Sequence, residues 1–131
     1  MGAQGELTGR PAEIVLLPWV HEGALDRVSV LVSQLRVYTI KPGKMEEWIR
    51  GWTEGVYPLR LKHGFRVDGA WVLHEEDKFV WILSYEGPED WETKNAKYYA
   101  SADRTGLDPD PAQHIAKAEQ WIVTPVLPMP F

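Results

Sequence analysis

Cysteine is missing from the 131-residue chain, which excludes disulfides, thiolate catalysis and zinc or iron–sulfur sites built on cysteine. Long apolar runs are missing too, because none approaches the roughly 20 residues that a membrane helix needs. The amino terminus also lacks the basic start and apolar core of a secretion signal. We therefore expect a soluble cytoplasmic protein.

Basic runs are also absent, and 14 basic residues are outnumbered by 19 acidic ones. The formal net charge of -5 argues against a nucleic-acid surface or an anionic-membrane surface. The sequence has no glycine-rich phosphate loop, serine nucleophile elbow or paired-carboxylate signature, so nucleotide and acyl-transfer chemistry are not indicated. A neutral or cationic small molecule remains possible as the ligand.

Aromatic residues are abundant, with seven Trp and five Tyr in a short chain. Large aromatic side chains with a polar tip lie where one end is apolar and the other meets a partner, a ligand or water. Their number predicts an interface or a ligand cavity as well as a core.

The order of predicted elements indicates an α+β fold. Residues 28–40 predict a strand, 43–62 a helix with one apolar face and a kink at Pro58, and 65–86 a β-hairpin. A second helix follows, starting at residues 87–90 with Pro88 in its first turn and ending near Ala100. A short helix capped by Asp110 and a last strand over 118–127 complete the order. This β-α-β-β-α-β order is the split βαβ arrangement of a ferredoxin-like antiparallel sheet, in a domain spanning 34–131. Residues 1–33 form an extension, interpreted as an extra β-hairpin arm.

The first predicted strand alternates two kinds of side chain. Leu35, Val37 and Thr39 lie on one side, while Arg36 and Tyr38 lie on the other together with Gln34. The second side could meet water, a partner chain or a pocket. Because helices cover only one face of such a sheet, we expect a second chain to cover the face of Arg36 and Tyr38 in a homodimer.

Four segments in order resemble the NIPSNAP family of the dimeric α/β barrel superfamily: LRVYTIKPGKMEEW, HGFRVDGAW, FVWILSYEGPEDW and VTPVLPMPF. The resemblance implies two ferredoxin-like units with their sheets face to face. It also implies a ligand in the cleft between the sheet and the helices of a subunit. Related families include cofactor-free monooxygenases, isomerases, cyclases and haem-binding enzymes.

Four residues are candidates for catalysis. Arg36 would polarise an oxygen and Tyr38 would supply a proton or hydrogen bond, unless both make dimer contacts. His114, on the short helix, would be a general base if its segment covers the cleft, and otherwise a partly exposed helix residue. His63 would be a base at the cleft mouth or a residue interacting with a helix C-terminus.

Aromatic side chains are the candidates for substrate binding, with core packing as the alternative for each. The set comprises Trp48, Trp52, Trp71, Trp81, Tyr85 and Tyr99. No metal site is expected, because His74 and the acidic residues 75–77 are consecutive in a turn and point in different directions.

These observations favour a cofactor-independent enzyme of secondary metabolism that acts on an aromatic or polycyclic small molecule by proton transfer, cyclisation, isomerisation or oxygenation. The alternative is a non-enzymatic ligand-binding or protein-interaction module, in which the extension pairs with a partner through a strand edge. Haem binding through a histidine is a third possibility.

Overall fold

The computed structural model describes residues 30–127. Four antiparallel strands form one sheet in the order β2-β3-β1-β4. Their bounds are β1 Val30–Ile40, β2 Arg66–Leu73, β3 Lys78–Gly87 and β4 Ile115–Val123. The predicted ferredoxin-like α+β fold is confirmed.

The helical layer begins with a stretch of three consecutive segments. These are α1 (Met45–Gly51), a π-helical turn (Trp52–Val56) and α2 (Tyr57–Lys62). The second part of the layer contains α3 (Trp91–Ala100) and α4 (Ala102–Thr105), and short 3-10 turns span His74–Glu76 and Pro111–His114. Within residues 30–127, no helix is both long and apolar enough to cross a bilayer.

Local sequence signals explain several boundaries. Gly43, at φ +78°, and Gly64, at φ +90°, take the left-handed conformation that glycine adopts most easily, directly before α1 and after α2. The Asp90 side chain caps α3 by accepting a hydrogen bond from the Thr93 amide at 2.7 Å. Pro58 lies in the first turn of α2, where a missing amide hydrogen is tolerated.

The placement of Arg36 and Tyr38 corrects the prediction for that face of the sheet. In the register, Arg36 is opposite Trp81 and Tyr38 is opposite Phe79, so all four side chains share one face. That face is buried beneath the helices, with Arg36 only 2% exposed. The polar residue types suggested an uncovered face, but their aromatic neighbours on β3 make it the core face.

The opposite face of the sheet is the one without a helical cover. It carries half-buried Leu35 and Val37, their opposite residues Ile82 and Val80, and Trp71, which is 53% exposed. We call this set of side chains the open face. The predicted N-terminal hairpin lies in residues outside the described range, so that arm and the domain boundary at 34 stay predictions.

Candidate active site

A small cavity lies where the core face of the sheet meets the helices. Its volume is about 160 Å³. The lining is mostly aromatic and cationic: Arg36, Tyr38, Trp48, Val56, Arg60, Trp81, Tyr98, Tyr99, Arg104, Ala112, Ile115, Ala118 and Gln120. An apolar cavity of similar size, about 150 Å³, holds one benzene molecule, so this volume suits a single ring.

Arg36 is the centre of the polar network in this cavity. Its Nη1 donates to the hydroxyl of Tyr38 at 3.0 Å and to the hydroxyl of Tyr99 at 3.0 Å. Its Nε donates to Oε1 of Gln34 at 2.7 Å. The strand pairing explains this arrangement, because Gln34, Arg36 and Tyr38 follow one another on the same face of β1.

The two tyrosine hydroxyls are left with hydrogen atoms to donate. Arginine has no acceptor, so the oxygens of Tyr38 and Tyr99 must accept from Arg36. Among the described residues neither hydroxyl donates to a further protein group. Two O–H donors polarised by one buried cation are therefore available to a negatively charged ligand oxygen.

The electrostatics of the cluster favour negative charge on a ligand. Burial lowers the pKa of Arg36, but Tyr38 and Tyr99 raise it by more, so the guanidinium stays charged. Burial raises the pKa of Tyr99, but the charges of Arg36 and Arg60 and the hydrogen bond from Arg36 lower it to about 8. The Tyr99 ring is at the rim, with the residue 42% exposed, and its hydroxyl reaches the buried guanidinium.

Two more arginines line the same cavity. Arg60 is 1% exposed, and its pKa is lowered to about 10 by burial and by the charge of Arg36. Arg104 forms an ion pair with Asp110, with Nη2 and Oδ1 3.1 Å apart. No Asp or Glu is among the described residues that line the cavity, so Arg36 and Arg60 lack a carboxylate partner there.

Half of the predicted catalytic and substrate-binding residues line this cavity: Arg36, Tyr38, Trp48, Trp81 and Tyr99. The structure corrects the placement of three others. Trp52 packs behind the wall, with its ring centroid 5.4 Å from that of Trp81, and Tyr85 packs on Phe65 in the core. Trp71 belongs to the open face, because residues of β2 alternate sides and its partner in the register is Val80.

The structure places the two predicted histidines outside the cavity. His114 lies in a separate groove on the outer side of α1, with Nε2 3.8 Å from Oε1 of Glu47. His63 contacts Asp103, with Nε2 and Oδ2 3.0 Å apart. The 3-10 turn that begins at His74 is exposed, and residues 30–127 contain no group of three His, Asp or Glu side chains able to hold a metal ion.

Haem does not fit this cavity. None of the three described histidines lines it, so the cavity offers no histidine as an axial ligand.

Sequence reasoning missed Arg60, Arg104 and Gln120. A signal existed for Arg60, because residues 52, 56 and 60 lie one helical turn apart and the first two are buried. A charged residue on an apolar helical face was the cue. Gln120 could have been found from its pairing with Arg36 across β4, but that register is fixed only in the folded sheet.

Fold and cavity together define an α+β protein of ferredoxin-like architecture with a partly open cavity lined by cationic and aromatic side chains. The NIPSNAP family model matches residues 33–128, and the chain belongs to that family. A comparison with curated proteins finds no match.

Solved structures share the fold at low sequence identity. A NIPSNAP family protein of unknown function from Agrobacterium tumefaciens superposes with a TM-score of 0.66 at 17% identity, over 76% of this chain and 93% of that one. A NIPSNAP-like domain protein from Burkholderia xenovorans gives 0.64 at 17% identity, over 76% and 91%. A protein from Bacteroides thetaiotaomicron described as a candidate antibiotic biosynthesis monooxygenase gives 0.58 at 19% identity, over 75% and 91%.

Proposed function

We propose that this protein is a small-molecule enzyme that stabilises the enolate or phenolate form of a one-ring substrate in the cavity. The observation that carries the proposal is the Arg36 guanidinium held between the hydroxyls of Tyr38 and Tyr99, 3.0 Å from each. Preorganised donors aimed at a developing oxyanion are usually the largest single contribution to catalysis. The one-ring size is proposed because a volume of about 160 Å³ matches a single ring.

The proposed chemistry is proton transfer. Tyr99, in its phenolate form, takes a proton from the substrate, and the resulting oxyanion is held by Arg36 and by the Tyr38 hydroxyl. Return of the proton from Tyr99 to another substrate atom completes an isomerisation without a bound cofactor. A base with a pKa of about 8 is well matched to proton transfer near neutral pH. Cyclisation or oxygenation by dioxygen would begin from the same anion.

The first test is the absorption spectrum of a bound nitrophenol, whose phenol and phenolate forms differ in colour. Wild-type protein is expected to bind the phenolate and to lower the apparent pKa of the dye, while Arg36→Met is expected to abolish that shift. Binding of the neutral form alone would contradict the proposal.

A second test separates an enzyme from a module that only binds. A one-ring 1,3-diketone is incubated in D₂O and its carbon-bound hydrogen is followed by NMR. Exchange faster than in the buffer and dependent on Tyr99 supports catalysis. Nitrophenolate binding without catalysed exchange would favour the ligand-binding module instead.

We also propose that the protein is a homodimer formed through the open face. Its support is the set of half-buried aliphatic side chains around Trp71, which lack a cover among residues 30–127. A contiguous apolar patch on a sheet is a typical interaction surface.

A further inference from the structure

Arg60 has a different environment from Arg36. Its Nη1 donates to Oδ1 of Asn95 at 2.9 Å, but its Nε has no hydrogen-bond partner among the described residues. Its guanidinium lies over the ring of Tyr98, with Cζ 3.7 Å from the ring centroid. Arg36, in contrast, donates hydrogen bonds to three oxygen atoms. Arg60 is therefore the cation in this cavity with unused hydrogen-bonding capacity at its Nε.

Tyr98 adds a second unpartnered donor beside Arg60. The residue is 1% exposed and lines the cavity, yet its hydroxyl makes no hydrogen bond within the described part of the chain. Buried hydroxyls and guanidinium nitrogens without partners are rare, because leaving such groups unpaired is costly. Two of them on neighbouring side chains indicate a missing acceptor.

The charge balance indicates that this acceptor is negative. Arg36 and Arg60 are both buried cations, and the charge of one lowers the pKa of the other. The described cavity lining contains no carboxylate that could separate the two charges. A protein of net charge -5 therefore carries a local excess of positive charge in its interior.

Arg36 and Arg60 both lie near the side chain of Tyr99. Arg36 contacts the hydroxyl of Tyr99 at 3.0 Å, whereas Cζ of Arg60 lies 5.1 Å from the centroid of the same ring. The two guanidinium groups thus meet different parts of one tyrosine. Both cations therefore lie close to one aromatic ring that lines the cavity.

We infer that the substrate carries a carboxylate, bound by Arg60 and the Tyr98 hydroxyl, in addition to the oxygen held by Arg36. This inference rests on the proposed function and narrows the substrate to a one-ring hydroxy or keto carboxylic acid. The planar guanidinium of Arg60 suits a planar carboxylate, and the small cavity leaves little room for a bulkier group.

The test measures the affinities of phenol, benzoate, 3-hydroxybenzoate and phenyl phosphate by quenching of tryptophan fluorescence, because Trp48 and Trp81 line the cavity. In wild-type protein, 3-hydroxybenzoate should bind about 10-fold or more tightly than phenol, since a hydrogen bond to a charged group is worth that much. Arg60→Met should remove this advantage. The matched control is Arg50→Met, an exposed arginine on α1, which should keep the advantage.

The outcomes separate this inference from the proposed function. If wild-type protein does not bind phenol but binds benzoate in a way that depends on Arg60, the oxyanion site is overturned and the carboxylate site is supported. If the ratio of the 3-hydroxybenzoate affinity to the phenol affinity is the same in Arg60→Met as in wild type, the carboxylate site alone is overturned. If phenyl phosphate binds more tightly than the carboxylates and this binding depends on Arg60, the site is one for phosphate and the carboxylate assignment is overturned. If Arg60→Met does not fold, Arg60→Lys serves, with the ratio expected to fall because lysine lacks the planar fork.

Discussion

Arg36 is a buried charged residue, and its burial is not explained by a gain in folding stability. A buried ion that lacks an opposite charge costs several kcal/mol in desolvation, and an apolar side chain of similar volume is often tolerated better. The hydrogen bonds that Arg36 donates to Tyr38, Tyr99 and Gln34 reduce this cost without removing it. A function that needs a positive charge in the cavity explains why the site contains one.

The first prediction separates stability from function at Arg36. Arg36→Met is expected to leave the melting temperature close to that of wild type, because removal of a buried charge offsets the loss of the three hydrogen bonds that Arg36 donates. The same variant should lose about 100-fold in affinity for a nitrophenolate, since charge-assisted hydrogen bonds contribute about 1.5–3 kcal/mol each. Thermal unfolding and dye titration measure the two effects. If Arg36→Met lowered the melting temperature but its folded form still bound the nitrophenolate as tightly as wild type, the assignment of Arg36 to ligand binding would be refuted.

The second prediction concerns the ionisation of Tyr99. Its pKa of about 8 lies below the ordinary value of 10. Between pH 8 and pH 10, Tyr99 is therefore mostly phenolate in the folded protein and mostly neutral in the unfolded chain. A tyrosinate absorption band with a midpoint near pH 8 should appear in wild-type protein and be absent in Tyr99→Phe. Arg36→Met should move that midpoint upward, because the nearest cation is lost.

The sign of the linkage gives an independent check of Tyr99. A depressed pKa means that the unfolded chain binds the proton more tightly, so the stability contributed by Tyr99 rises as the pH passes from about 8 to 10. The difference in stability between wild type and Tyr99→Phe should grow over this window. A constant difference would show that Tyr99 titrates at its ordinary pKa.

At the scale of elements, the helical stretch between β1 and β2 positions the cavity wall. The π-turn carries buried Trp52 and Val56, and Val56 lines the cavity. Immediately before it, Gly51 approaches the 3-10 turn so closely that an added Cβ would lie 2.8 Å from Cβ of Pro111. The next residue, Ala112, lines the cavity, so this contact sets the distance between two of its walls.

The third prediction therefore concerns Gly51→Ala. Helix propensity would favour alanine by about 1 kcal/mol, but the overlap with Pro111 should cost about 1–3 kcal/mol and displace the turn. We expect a lower melting temperature together with weaker ligand binding. Arg50→Ala, one residue earlier and exposed, should change neither property. Higher stability in Gly51→Ala would show that the turn moves away without cost.

At the scale of the molecule, the two faces of the sheet have separate roles. The core face holds the cavity beneath the helices, and the open face carries Trp71 and its aliphatic neighbours. A partner on the open face would therefore not compete with ligand for the cavity.

The fourth prediction tests the homodimer. Trp71→Glu places a charge on the open face and should shift sedimentation from dimer to monomer, because an unpaired charge in an interface is strongly unfavourable. Leu61→Glu is the control, since Leu61 is an exposed apolar residue of α2, 45% exposed and away from the sheet. A wild-type monomer would exclude the dimer, and an intact Trp71→Glu dimer would place the interface elsewhere.

The order of elements was predictable because strands and helices leave different periodicities in a sequence. The alternation through 34–39 marked β1, and Asp110 caps its helical segment as predicted. The second helix was predicted to start at residues 87–90, but it begins at Trp91, with Asp90 as its cap. The π-turn was not predicted, because a π-turn and an α-helix place nearly the same residues on the buried side.

The sequence by itself determined the ferredoxin-like order of strands and helices and the pairing of Arg36 with Tyr38 on one face of β1, because both follow from local spacing. Only the tertiary structure decided which face the helices cover, since that depends on register between strands far apart in the chain. The same packing brought Tyr99 and Arg60 to Arg36 and left His114 and His63 outside the cavity. Contacts between distant segments, which no local pattern encodes, thus created the candidate site.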